Sequence, residues 1–215
     1  MAQDISRGTL DMSFINQGSL SGLDPLLDFH YLPYIVTSYE QADKIFYGDG
    51  VIPKLMTETL AKHNMTTLGF FENEFRGVSN SIKKIEKVED LKGLKLRVPG
   101  SQAIKGFFEE AGSQALVMPF NELYLALQQG TVDGQDNGLL FTVDKIQAGQ
   151  IEENRKATEE YIQKIKDVGV EVTELTEEQI KAFQEFGLSQ WDNYESTYGA
   201  ELIQSLKEEL AEISE

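Results

Sequence analysis

The pattern of apolar and polar residues between positions 91 and 137 predicts a strand, a helix, a strand, a helix and a strand, in that order. The apolar run Leu94–Val98 predicts a buried strand, and Ser101 can cap a helix that Gly112 ends. This order favours parallel strands with right-handed crossovers in an α/β fold. The predicted elements are strands at 94–98, 115–118 and from Val132, with helices at 101–111 and 121–129.

The flanking regions carry weaker patterns. Residues 39–64 have helical periodicity that is broken at Gly48-Asp49-Gly50, and Thr176-Glu177-Glu178-Gln179 matches a capping box. The C-terminal part is therefore expected to be mainly helical, with one short strand. The other predicted elements are strands at 9–15, 66–71 and 170–175, and helices at 152–167, 176–198 and 200–214.

The charge balance excludes several classes of partner. The 215 residues carry 19 Lys and Arg against 36 Asp and Glu, a net charge of −17. Nucleic-acid binding needs a basic surface, and anionic membranes attract basic segments, so neither partner is expected. No apolar run is long enough to span a bilayer, and the first residues lack a basic and then apolar leader, so we expect neither membrane insertion nor a signal peptide within this chain.

The residues that usually bind metals are scarce. The chain has no cysteine, which excludes thiol catalysis, thiolate metal sites and disulfides. The two histidines, His30 and His63, lie far apart without metal-ligand spacing around them. We therefore expect neither a metal centre nor a cofactor.

Candidate binding chemistry lies at the ends of the predicted central strands. Arg97, Phe120 and Asn137 place an arginine, an aromatic ring and an amide there. Small ligands bind at the carboxyl ends of strands in open α/β sheets. A forked cation, a neutral donor and an apolar ring together could hold a carboxylate and its carbon body.

Three ordered sequence blocks carry a resemblance to a known family. They are Asp90-Leu91-Lys92-Gly93-Leu94-Lys95-Leu96-Arg97-Val98-Pro99, Met118-Pro119-Phe120-Asn121-Glu122-Leu123-Tyr124, and Val132-Asp133-Gly134-Gln135-Asp136-Asn137. The chain resembles the extracytoplasmic solute-binding proteins of tripartite ATP-independent periplasmic (TRAP) transporters, the DctP-like family. The order and spacing agree through 7–145, and a weaker match covers 154–210.

The resemblance implies a periplasmic-binding-protein-like fold, with two α/β lobes that close on a small organic acid. It implies a periplasmic location, membrane subunits of a TRAP transporter as partners, and no enzymatic activity. Arg97 matches the arginine that binds the ligand carboxylate, Asn137 the amide that assists it, Arg76 a second arginine, and Phe120 an aromatic lining the cleft. The first lobe is expected to contribute Phe14, Asn16 and Gln17.

The chain departs from the family pattern at two places. The opening β-α-β unit is missing, and a second block is missing near 145–153. We therefore expect a partial first lobe at 1–90, the core of the second lobe at 91–145, and a helical region with one short strand at 146–215. Missing strands leave unpaired edges, so self-association is a further expectation.

Other interpretations of these residues remain open from sequence alone. Arg97 could be a surface arginine, Asn137 a turn residue, Arg76 the partner of Glu72 or Glu74, and Phe120 a core residue. At the level of the whole chain, a shortened or re-engineered derivative that folds but binds poorly is one alternative. An enzyme that uses Asp133 and Asp136 as acid and base is another, although no nucleophile, metal site or phosphate loop supports it.

Overall fold

The computed structural model describes residues 2–72, 74–138, 160 and 162–213, with the side chains of Ala2 and Gln17 left out. The chain divides into two compact units. Unit 1 consists of Met1–Phe70, Pro99–Phe107 and Ala182–Glu215, and unit 2 consists of Phe71–Val98 and Phe108–Lys181. Each unit therefore contains segments that are distant in sequence. The predicted boundaries after residues 90 and 145 stay predictions.

Helices dominate unit 1, and strands are described in unit 2. The α-helices are α1 (Ala2–Ser6), α2 (Tyr39–Tyr47), α3 (Val51–Lys62), α4 (Gln102–Glu110), α5 (Phe120–Gln128), α6 (Glu177–Ser189), α7 (Glu195–Tyr198) and α8 (Ala200–Ile213). Residues 162–167 are also helical. The 3-10 helices are Gln17–Leu20, Pro25–Tyr31, Val88–Leu91 and Trp191–Tyr194. The strands are β1 (Arg76–Asn80), β2 (Lys95–Val98), β3 (Gln114–Val117) and β4 (Gly134–Gly138).

The sheet of unit 2 has the strand order β1-β4-β2-β3. Strand β2 pairs in parallel with both β3 and β4, whereas β1 is antiparallel to β4. The predicted α/β class and the parallel pairing of the central strands are confirmed. The buried side chains of Leu96 and Val98 on β2 belong to the core of this unit.

Unit 1 is built around a larger apolar core. Trp191 is fully buried, and its indole nitrogen donates to the Pro33 carbonyl at 2.9 Å. The core also contains apolar residues from α2, α3 and α8 and from the 3-10 helix Pro25–Tyr31. These buried residues include Leu27, Phe29, Ile45, Met56, Ile203 and Leu206.

The predicted strands at 9–15, 66–71 and 170–175 are wrong, because these residues form neither strand nor helix. The amides of Thr9 and Leu10 donate to the carbonyl of Asp4 in α1, and that of Val170 donates to the carbonyl of Ile165. A strand forms only where a neighbouring strand accepts its hydrogen bonds. The apolar pattern of these segments therefore was not enough to make them strands.

Several predicted helix boundaries are confirmed. The break at Gly48-Asp49-Gly50 separates α2 from α3. Ser101 caps α4, since its hydroxyl oxygen accepts from the amide of Ile104 at 3.0 Å. Thr176 and Gln179 form the predicted reciprocal capping box, with bonds of 2.8 and 3.3 Å.

The predicted missing block near 145–153 lies outside the described residues. Among the residues that are described, no helix combines the length and the apolar character needed to cross a bilayer.

Candidate ligand-binding site

Arg97 lies on β2 inside the sheet of unit 2. Its side chain is almost completely buried, with a relative exposure of 5%. Its backbone is paired with Leu116 on β3 and with Gln135 on β4, so the residue has neighbours on both sides. The guanidinium Nε donates to the Met118 carbonyl at 2.9 Å. This bond fixes the plane of the guanidinium, which can then present its two Nη groups to a carboxylate as a pair.

Phe120 packs against this arginine. It is the first residue of α5, and the centre of its ring lies 5.7 Å from the guanidinium carbon of Arg97. At this distance the ring attracts the cation electrostatically. The side chain of Phe120 is 44% exposed, so its ring is not a core residue. Phe120 therefore provides an apolar surface directly beside the forked donor.

Asn137 lies on the central strand β4 and is 8% exposed. Its Oδ1 accepts from the amide of Gly138 at 2.9 Å, and its Nδ2 lies 3.4 Å from the side-chain oxygen of Gln135. Because strand residues alternate between faces, Asn137 shares a face with Gln135 and, through the parallel register, with Arg97. The arginine and the amide therefore lie on the same face of adjacent strands.

Arg76 is held by an acidic partner on the neighbouring strand. Its Nε donates to Oδ2 of Asp136 at 2.9 Å, and its Nη2 donates to the Asp136 carbonyl at 3.0 Å. Nη2 also lies 2.7 Å from Oδ2, which makes the two side chains an ion pair. Arg76 is opposite Gly138 in the antiparallel register. Strand alternation therefore places Arg76 and Asp136 on the face opposite to Asn137 and Arg97.

Asp136 binds Arg76, and this pairing is a structural role that the sequence did not predict. Burial raises the pKa of its carboxyl group, and the charges of Arg76 and Arg97 partly offset that effect. The sequence feature that could have indicated this is the run Gln135-Asp136-Asn137. In a strand, such a run places the side chain of Asp136 on the opposite face from those of its two polar neighbours. A carboxylate on a buried face needs a cation, and Arg76 supplies it.

The two acidic residues considered as a catalytic pair have separate structural partners. Oδ2 of Asp133 accepts from the backbone amide of Lys95 at 2.8 Å, whereas Asp136 binds Arg76. Among the described residues, no three acidic or histidine side chains are grouped as a metal site.

Glycine at position 134 is required by the close approach of β1. A Cβ there would lie 2.0 Å from the Ser79 carbonyl oxygen, which belongs to the paired strand. The Val132-Asp133-Gly134 part of the third sequence block therefore serves the backbone geometry of the sheet. It allows β1 and β4 to pair at the end of the sheet away from Asn137.

The three candidates from the first part of the chain lie in unit 1. Phe14 is 79% exposed. The Asn16 side-chain oxygen accepts from the Gly18 amide at 3.0 Å and from the Tyr31 hydroxyl at 2.7 Å, so it caps a 3-10 helix. The side chain of Gln17 lies outside the described part. Their ligand-binding roles stay predictions.

Similar proteins with assigned roles match about two thirds of the chain. The sialic acid-binding periplasmic protein SiaP of Vibrio cholerae is 32% identical over 65% of this chain and 43% of its own length. The 2,3-diketo-L-gulonate-binding periplasmic protein YiaO of Escherichia coli is 29% identical over 64% of this chain and 41% of its own length. The matches thus span about two fifths of these relatives.

Solved structures of similar fold cover almost the whole chain. One is the sugar acid binding protein DctPAm from Advenella mimigardefordensis in complex with galactonate, with a TM-score of 0.84 and 23% identity over 98% of this chain and 82% of that one. Another is a TRAP periplasmic solute-binding protein from Rhodoferax ferrireducens with bound malonate, with a TM-score of 0.85 and 22% identity over the same shares. They support the periplasmic-binding-protein-like fold.

The family profile described as "Bacterial extracellular solute-binding protein, family 7", or DctP, matches residues 1–145. This range includes Arg76, Arg97, Phe120 and Asn137, which lie together in unit 2. The chain belongs to the DctP family of bacterial extracellular solute-binding proteins.

Proposed function

We propose that this protein captures a small organic acid outside the cytoplasm and delivers it to the membrane subunits of a TRAP transporter. The observation that carries the proposal is the environment of Arg97. This arginine is buried, its guanidinium is fixed by the Met118 carbonyl, and the ring of Phe120 lies beside it. A buried cation held in this way is suited to a planar anion.

Each site residue has a distinct role in the proposed binding. Arg97 forms two parallel hydrogen bonds to the ligand carboxylate, and Asn137 adds a neutral donor from the same face of the sheet. Phe120 covers the carbon body next to the carboxylate. The net charge of −17 does not attract anions over a long range, so these local contacts must supply the affinity.

Family membership and the names of the relatives support the proposed partners and location. SiaP and YiaO are named as periplasmic binding proteins. The proposed partners are accordingly a small carboxylate ligand and transporter subunits in the membrane. The alternative of a shortened derivative that folds but binds poorly predicts the same fold without measurable affinity.

The proposal is tested by calorimetric titration with a panel of sugar acids, hydroxy acids, keto acids and dicarboxylates. At least one acid should bind with saturable heat. In Arg97→Lys the affinity for that acid should fall by about 2–4 kcal/mol, because lysine keeps the charge but loses the planar fork. Circular dichroism should show that the variant stays folded.

The matched control is Arg7→Lys, which makes the same change at an exposed position of unit 1. This variant should bind as the wild type does. If Arg97→Lys also binds with unchanged affinity, Arg97 is not the carboxylate ligand. If no acid binds to the wild type, the alternative of a poorly binding derivative is favoured and the proposed function is wrong.

A further inference from the structure

The side-chain amide of Asn137 has a fixed orientation. Its Oδ1 accepts from the backbone amide of Gly138 at 2.9 Å. A backbone amide can only donate, so the oxygen of this side chain must face Gly138 and its nitrogen must face away from it. The bond to Gly138 therefore decides which end of the side chain is the donor, and a carboxylate needs a donor.

Gln135 provides an acceptor for that nitrogen. Nδ2 of Asn137 donates to Oε1 of Gln135, with a nitrogen-to-oxygen distance of 3.4 Å. The two residues are separated by one position on β4, so their side chains lie on the same face of the sheet. Both are buried, with relative exposures of 4% for Gln135 and 8% for Asn137. A buried amide nitrogen needs such an acceptor, because its burial without a partner costs free energy.

We propose that Gln135 is a positioning residue for ligand binding and that it acts through Asn137. Its side-chain oxygen holds one hydrogen of the Asn137 amide, which leaves the second hydrogen in a defined direction for the ligand carboxylate. This inference rests on the proposed function, and it adds to the site a residue that orients a ligand-binding group.

The position of Gln135 in the sheet supports this role. Strand β4 lies between β1 and β2, and the backbone of Gln135 is paired with Ser79 on β1 and with Arg97 on β2. The parallel register places the side chains of Gln135 and Arg97 on the same face. Gln135 is thus held by a strand on each side, and it neighbours both the arginine and the amide of the candidate site.

The benefit of this arrangement is preorganisation of the donor. A side-chain amide that rotates freely must be ordered when the ligand binds, and that ordering opposes binding. The bonds from Asn137 to Gln135 and from Gly138 to Asn137 order the amide before the ligand arrives. Removal of the Gln135 oxygen should therefore weaken binding without removing a ligand contact.

The test is a double-mutant cycle, measured on the whole chain by calorimetric titration with gluconate, lactate, pyruvate and succinate. Gln135→Met keeps a side chain of similar length but replaces the amide by a weakly accepting sulfur. It should weaken binding of whichever acid binds the wild type by about fivefold, the size of one neutral hydrogen bond. In an Asn137→Ala background the same change should weaken binding by less than about twofold, because the residue through which Gln135 acts is gone.

The matched control is Gln114→Met, the same change at an exposed position of β3, and it should bind as the wild type does. Equal losses from Gln135→Met in the wild-type and Asn137→Ala backgrounds would show that Gln135 acts independently of Asn137. That result, or unchanged affinity in Gln135→Met, overturns the inference while leaving the proposed function intact. If none of the four acids binds to the wild type, the proposed function and the inference both fall.

A second variant and a second measurement cover the case in which Gln135→Met does not fold. Gln135→Asn keeps an amide at the buried position but is one methylene shorter, so its oxygen lies further from Asn137, and it should weaken binding as Gln135→Met does. NMR relaxation of the Asn137 side-chain amide, identified by its loss in Asn137→Ala, should show an ordered group in the wild type and a more mobile one in the Gln135 variants. A mobile amide in the wild type, or an equally ordered one in a folded variant, overturns the inference.

Discussion

The two units are stabilised in different ways. Unit 1 buries large side chains such as Trp191, Phe29 and Met56, all with an exposure of 0%. Unit 2 depends more on backbone pairing, because its four short strands form one sheet. Unit 1 also contains extended segments, but these leave Phe14 and Leu68 about 80% exposed. Both units bury apolar side chains, but the described strands lie in unit 2, whereas the bulky residues Trp191, Phe29 and Met56 lie in unit 1.

The two units should differ in the kinds of substitution that they tolerate. A side-chain core depends on volume, so removal of a large group leaves a cavity. A sheet depends on the approach of two backbones, so the addition of a single carbon atom at the wrong place separates its strands. Substitutions that remove atoms should therefore damage unit 1, and substitutions that add atoms should damage unit 2.

The largest effect is expected from Trp191→Ala in unit 1. The change empties a fully buried position and leaves the Pro33 carbonyl without its donor. It should reduce the free energy of unfolding by about 3–5 kcal/mol, measured by urea denaturation. The control Met12→Ala removes an apolar side chain that is 69% exposed and should change stability by less than about 0.5 kcal/mol. Equal effects at both positions would contradict the assignment of the core.

The next effect is expected from Gly134→Ala in unit 2. The added Cβ would meet the Ser79 carbonyl of the paired strand, and backbone cannot move aside as a flexible side chain can. The variant should be less stable by about 1–3 kcal/mol, the usual cost of overpacking. Gly77→Ala is the matched control, because a Cβ on this strand β1 residue has open space around it. If the two alanine variants are equally stable, close approach is not the reason for glycine at position 134.

The same contrast explains how much of the fold could be predicted from sequence. The strands around Leu96 and Leu116 were found because each has its partner nearby in the chain, connected by one helix. The strand predicted at 66–71 has the right apolar residues, yet it is not paired. Apolar runs report burial tendency, whereas a strand also needs a neighbour, and that neighbour is not encoded in the run itself.

In the candidate site too, local sequence predicts some side-chain roles but not those that depend on which strands are paired. Arg97, Phe120 and Asn137 could be selected from sequence because their types and order suit a carboxylate. The role of Asp136 could not, because it depends on the register between β1 and β4. That pairing joins residues 60 positions apart, Arg76 and Asp136, and local sequence patterns do not specify it.

A smaller effect, on binding rather than stability, is expected from Asn137→Ala. The amide is a neutral donor beside the arginine, so its loss should weaken binding of the acid by about 1–2 kcal/mol. Calorimetry with the acid identified for the wild type would measure this change. Asn80→Ala is the control, since Asn80 lies at the other end of β1 and bonds to the amides of Ile82 and Lys83. A loss greater than that of Arg97→Lys would mean that Asn137 is the main carboxylate ligand.

Among the described residues, Asp28 of unit 1 and Asp136 of unit 2 are the buried aspartates, and their charges are compensated differently. In unit 2 Asp136 has the cation of Arg76. In unit 1 Asp28 accepts from neutral donors, namely the hydroxyls of Ser101 and Tyr198 and the amides of Gln102 and Ala103 at the start of α4. Burial raises the pKa of Asp28, and its hydrogen bonds, led by the one from Ser101, oppose that effect. The folded protein therefore holds a proton on Asp28 more tightly than the unfolded chain does.

The smallest expected effect is a change in the pH dependence of stability in Asp28→Asn. Because the pKa of Asp28 is raised above its ordinary value of 3.8, the group stabilises the folded state most when it is protonated. That contribution is lost as the pH rises through the raised pKa. The stability of the wild type relative to Asp28→Asn should therefore increase as the pH is lowered from neutral toward 3.8.

Thermal melts across this range, with the exposed Asp11→Asn as a control for net charge, would measure the difference in stability between the wild type and Asp28→Asn. A difference that stays constant or shrinks on acidification would mean that the helix amides stabilise the ionised carboxylate more than burial destabilises it.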